Sequence, residues 1–150
     1  RVPITNTPVC RAAEYTLFAD GREDIPFAAN RTLNALSSGT TYTPAIMVTK
    51  PNSLNTTVNP GGLGQAGAGF SPAIIARHKN AYSCAANSFL IAQDGAAGAA
   101  DVSGSIPTGI TTYNIGCASG GAGQFNGFIF RAGIYTVAKT QSEINGITAL

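Results

Sequence analysis

The chain has no tryptophan, one histidine, one methionine and three cysteines in 150 residues, and only 11% of its residues are charged. Soluble domains ordinarily carry about 25%, so this surface must be dressed with Thr, Ser, Asn, Gln and Gly. The like-charge repulsion that holds domains apart is correspondingly weak, which predicts that copies of the chain or other subunits cover part of it. Its nine Lys and Arg are scattered, with no basic run interleaved with aromatics, and this argues against a nucleic-acid platform. No stretch approaches the ~20 apolar residues that cross a bilayer, and no charged n-region precedes an apolar h-region at the start; membrane insertion is not expected. A chain that begins at Arg1 reads as a processed product or as part of something longer.

Chemistry-bearing groups are equally sparse. Seven carboxylates occur: Glu14, Asp20, Glu23, Asp24, Asp94, Asp101 and Glu143. Glycoside hydrolysis usually needs two of them flanking the scissile bond at about 5–9.5 Å. Glu23 and Asp24 are adjacent, so they face opposite sides of a strand or stand solvated in a turn. His78 lies between two cations in Arg77-His78-Lys79-Asn80 and reads as an exposed turn residue. Cys10, Cys84 and Cys117 lack a nucleophile motif and the clustering with His that zinc requires. Their odd number implies no disulfide framework; a Cys84–Cys117 bridge is conceivable, and three buried thiols acting as small apolar side chains are the simpler reading. Asp94 or Asp101 could contribute to a Ca²⁺ site, yet no acidic loop of calcium type is present. No catalytic residue, metal or cofactor is expected, and the chain reads as non-enzymatic.

What is present is turn chemistry. Eighteen glycines and eight prolines separate short apolar runs, a pattern that suits a β-protein far better than a helical bundle. Strand-like runs fall at 14–18, at 31–36 and at 41–49, where Pro44 forces the strand to start after it or to lie at an edge. Residues 20–24 read as a charged turn facing water, and 51–72 as one long Gly/Pro-rich loop, a length at which loops are usually functional or in contact with a partner. Further runs lie at 73–76, 81–84 and 88–92, the last closed by an Asp94-Gly95 turn, and a clear strand at 110–116. Within 124–135, period-two alternation places Phe128, Phe130, Ala132 and Ile134 together on a core face. Thr140-Gln141-Ser142-Glu143 is a capping box, followed by Ile144, Ile147 and Leu150 on one helical stripe. Together these predict one all-β domain over 1–150, an antiparallel β-sandwich with a short C-terminal helix. Asn30-Arg31-Thr32 and Asn55-Thr56-Thr57 fit the glycosylation acceptor pattern, which chance alone supplies in so Asn- and Thr-rich a chain.

The segment 106–150 carries a resemblance. Its order is Ile106-Pro107-Thr108-Gly109, a strand ending Tyr113-Asn114-Ile115-Gly116, then Phe125-Asn126-Gly127-Phe128-Ile129, Gly133-Ile134-Tyr135 and Ser142-Glu143-Ile144. This resembles the C-terminal signature of concanavalin A-like, or laminin-G-like, jelly rolls, and is most similar to the version at the ends of tailed-phage virion proteins. Arg11-Ala12-Ala13-Glu14 looks like that version's opening strand, whereas residues 19–72 add nothing to the likeness. The resemblance implies a jelly roll serving as a virion surface module, a tail fibre, spike or head decoration that assembles with itself or with other virion proteins and touches host glycans. The alternative is a secreted bacterial carbohydrate-binding module of a larger enzyme or adhesin. Lectin sites leave little linear trace. Tyr42, Tyr82, Tyr113 and Tyr135 are candidate stacking residues, no ligand-binding set is named, and the absence of Trp counts against a strong stacking platform.

Overall fold

The computed structural model describes residues 2–3, 14–24, 31–37, 45–50, 54–59, 66–70, 77–106, 110–117 and 124–149. In chain order the strands are β1 (Val2–Pro3), β2 (Tyr15–Glu23), β3 (Arg31–Ser37), β4 (Ala45–Lys50), β5 (Leu54–Asn59) and β6 (Ala66–Phe70). They continue as β7 (Arg77–Ala85), β8 (Ser88–Gln93), β9 (Ala96–Ala97), β10 (Thr112–Ile115) and β11 (Gly127–Tyr135), and one helix, α1 (Gln141–Thr148), follows. All pairings are antiparallel and form two sheets, ordered β1-β10-β3-β4-β5-β6 and β11-β2-β7-β8-β9. The sheets pack face to face, with β2 over β3 and β8 over β6, which is the antiparallel sandwich the sequence predicts.

Alternation explains the core. Leu17 of β2 faces Tyr82 of β7, and these join Tyr15, Leu36, Phe89 and Ile91 in one fully buried cluster. Asn34 is buried among them, and its amide donates to the Phe18 carbonyl of the opposite sheet at 2.9 Å, so one polar side chain links the two layers without leaving that carbonyl orphaned.

Three expectations are corrected. Residues 20–24 are mostly strand: β2 runs through Glu23 because it is central, paired with β7 on one side and β11 on the other, and a ladder on both edges overrides turn propensity. The loop read at 51–72 contains β5 and β6, which extend a meander from β4. Their Thr-rich and Ala/Gly sequences carry no hydrophobic alternation, so only the successive pairing of β5 to β4 and of β6 to β5 reveals them. The run at 73–76 lies outside the described residues.

The third correction concerns β11. Its register to β2 shifts between Ile129 and Arg131, leaving Phe130 as the extra residue of a β-bulge. One inserted residue reverses the parity of the strand. Ile129, Ala132 and Ile134 pack on the core, while Phe128 and Phe130 point outward, 53% and 51% exposed. Gly133 lies opposite Phe18, and a Cβ there would stand 2.5 Å from the Phe18 ring, so the glycine lets that ring lie flat across the strand. The Asp94-Gly95 turn forms as the sequence predicts, with φ of 50° and 83°.

Helix α1 starts on the expected capping box. The Thr140 hydroxyl accepts from the Glu143 N–H, while the Glu143 carboxylate accepts from the Thr140 N–H at 2.8 Å and from Lys139 Nζ at 2.9 Å. Ile144 packs on Ala81 and Ala92, with Phe18, Leu90 and Ile147 around it, so the helix covers part of the outward face of the five-stranded sheet. The backbone N–H of Thr140 first, then Lys139, holds the Glu143 carboxyl at about 2. Because that lies below its ordinary value of 4.5, the cap's contribution is complete above about pH 4.5 and is lost as pH falls toward 2. The protection factors of the amides of residues 141–148, taken relative to the intrinsic exchange rate at each pH, should therefore fall over that window before the sheets open; a helix as protected at the acid end as at neutral pH would show that the cap does not hold it.

Candidate functional site

The outward face of β11, β2 and β7 collects the exposed aromatic and cationic side chains. Register sets the rows: Phe128, Arg22 and Arg77 in one, Arg131, Asp20 and Lys79 in the next, then Gly133, Phe18 and Ala81. The bulge adds Phe130 between the first two. Its ring stacks on Phe128 with centroids 6.3 Å apart, the Arg77 guanidinium lies 4.3 Å from the Phe130 centroid, and Arg22 lies 5.3 Å from that of Phe128. Arg131 covers the Phe18 ring at 4.8 Å. Such contacts hold guanidiniums in place while leaving donors free toward solvent.

Asp20 is the one carboxylate within these rows. Arg77 grips it in two-pronged fashion, Nε to Oδ1 at 2.8 Å and Nη2 to Oδ2 at 2.6 Å, with the Asp20 side chain 9% exposed and that of Arg77 52%. The Arg77 hydrogen bonds hold the Asp20 carboxyl below the usual carboxylate range, with Lys79 and Arg131 adding to the effect. Arg22 is paired more loosely, 3.4 Å from Asp24. Arg131 makes no ion pair among the described residues. Beside it runs a cleft lined by Phe18, Asp20, Lys79, Asn80, Arg131 and Ile147, which separates this face from α1. The arrangement has stacking surface, guanidinium donors and a net positive charge, and among the described residues it brings together no nucleophile with an acid–base partner.

The outward face of the six-stranded sheet differs. Ser37 and Thr112 are partners there, as are Ala35 and Asn114, and all four are buried, Asn114 donating to Ser37 Oγ at 3.1 Å.

The residues singled out from sequence are dispersed. Tyr82 and Tyr113 are core, and Tyr135 is half-buried against Phe18 and Lys139; Tyr42 and Cys10 lie outside the described residues. His78 is not an exposed turn residue: it belongs to β7, is 12% exposed, and holds Asp94 at 2.5 Å, because strand alternation turns it away from Arg77 and Lys79. Cys84 and Cys117 are free thiols, and burial pushes Cys84 up to about 12, which removes it as a nucleophile. Asp101 is spent on Ser103, accepting from its N–H and its hydroxyl. Among the described residues no three metal-ligating side chains come together, and no helix is long and apolar enough to cross a membrane.

No protein-family model matches the chain, and no curated protein is significantly similar in sequence. Solved structures share the fold. The CBM40 of the Ruminococcus gnavus IT-sialidase, bound to α2,3-sialyllactose, superposes with a TM-score of 0.77 at 13% identity over 93% of this chain and 84% of that one. The leech intramolecular trans-sialidase matches with a TM-score of 0.76 at 12% identity over 93% of this chain, which spans only 24% of the enzyme. Domains LG4-5 of the mouse laminin α1 chain give 0.63 at 15% identity over 85% of this chain and 38% of that one. The laminin-G-like, jelly-roll architecture is thereby shown; none of these three structures is a virion protein.

Proposed function

We propose that this chain is a non-catalytic carbohydrate-binding module of a larger extracellular protein, and that it takes glycans bearing an acidic group on the outward face of β11, β2 and β7. The observation that carries the reading is the half-exposed Phe128–Phe130 pair flanked by guanidiniums. A sugar ring presents apolar C–H bonds to an aromatic face, and a guanidinium pairs with a carboxylate or sulfate. The occurrence of the same fold in a module bound to sialyllactose supports the choice of ligand class. Titration calorimetry with 3′-sialyllactose and with lactose tests it. The sialylated sugar should bind more tightly, and Arg131→Ala should remove most of that difference, about tenfold for one charge-assisted contact. Equal binding of the two sugars, or none to either, would defeat the reading. Assembly with further copies rests on the low charge and on the sequence resemblance, and attachment to a virion on the resemblance alone; the mass in solution by light scattering would decide the first.

A further inference from the structure

We propose that Asp20 is the specificity-determining residue of this face: its carboxylate fills the Arg77 fork from within, restricting the face to glycans with isolated acidic groups and turning away dense polyanions. The inference rests on the glycan-binding reading above. Side-on pairing through Nε and one Nη is the geometry in which an arginine clamps a carboxylate or sulfate, and here the protein supplies that carboxylate itself. Asp20 is almost entirely buried in a central strand, so it is not a side chain that swings aside for a ligand. Around it the charges are arranged symmetrically, Lys79 on one neighbouring strand and Arg131 on the other.

Without Asp20, Arg77 of one row and Lys79 and Arg131 of the next would form an unbroken cationic cluster, a platform for any sulfated polymer. With it, Arg77 is saturated on its inward edge, and Lys79 Nζ is engaged with the Ala149 carbonyl at 2.7 Å. Arg22 has its loose pair with Asp24, and Arg131, seated on Phe18, is the guanidinium of this face without an ion pair among the described residues and so the one most open to a ligand's acidic group. The Phe rings next to it then read the neighbouring sugar. Selectivity on this account comes from filling a site as much as from offering one.

Two measurements decide the proposal. Heparin serves as the dense polyanion, and Asp20→Asn is compared with Asp24→Asn, which removes the same charge nearby without freeing a two-pronged fork. The affinity of Asp20→Asn for heparin should rise about tenfold over the native chain, and clearly more than that of Asp24→Asn. Equal gains would mean that net charge alone is at work, and would overturn the proposal. The second measurement uses the native chain, so it stands even where Asp20→Asn fails to fold. On titration with 3′-sialyllactose the arginine Nε–H resonance of Arg131 should shift and that of Arg77 should stay; a shift of Arg77 as large as that of Arg131 sinks the idea. Absence of any glycan binding by the native chain, together with a heparin gain specific to Asp20→Asn, would count against the glycan reading and leave the filled fork standing.

Discussion

Deletion of Phe130 is expected to lower affinity for a sialylated glycan about tenfold while leaving the fold in place. Phe130 is the extra residue of the β11 bulge, so removing it brings Ile129 and Arg131 into successive register positions opposite Gly21 and Asp20, the partners they already have. No inward side chain changes face. The deletion takes away a half-exposed ring and with it the surface on which Arg77 lies, a loss of about 1–2 kcal/mol of stacking on the usual scale of aromatic contacts. Deleting Ile129 instead would bring Phe130 into the inward place opposite Gly21, where even a Cβ on that glycine would meet Leu33 at 3.0 Å. That overpacking costs roughly 1–3 kcal/mol or more. Thermal unfolding and sugar titration of the two deletions separate the cases; an unfolded Phe130 deletion would show that the bulge, and not only its ring, is needed.

Phe89 should behave in the opposite way. It is fully buried between the sheets, and its backbone N–H and C=O both pair with Asp101, tying the segment after β9 to β8. Phe89→Ala should cost about 3–5 kcal/mol, a fall in Tm on the order of 10 °C for a domain of this size, whereas Phe128→Ala should change stability by less than about 1 kcal/mol. Chemical denaturation of both variants checks the contrast. A small loss at Phe89 would mean that the core collapses around the vacancy.

Where the chain alternates with strong side chains, its sequence was sufficient. Residues 15–18 and 31–36, the Asp94-Gly95 turn and the Thr140/Glu143 capping box all appear where the pattern places them. The bulge did not announce itself, because Phe130 is neither Gly nor polar and a strict period of two runs straight through it. That single residue decides whether two phenylalanines are core or surface, so the candidate site was invisible from sequence while the tyrosines drew attention. A signal was available in Phe128-Ile129-Phe130 followed by Arg131, since three successive large apolar residues cannot all face inward from one strand. From sequence Asp20 belongs to a charged turn facing water, because its partner, Arg77, is 57 residues away. Only the β2–β7 register brings them together.

The bulge bears finally on what the edge of the five-stranded sheet offers a second molecule. Among the described strands β11 is the outer edge of its sheet and, at nine residues, as long as any. Such an edge is a template onto which a second molecule's strand can zip, and a chain with few charges has little else to prevent it. An extra residue in mid-strand breaks the even repeat of N–H and C=O groups that a regular incoming strand must match. The same insertion that turns two aromatic rings outward thus also spoils the edge for amyloid-like growth.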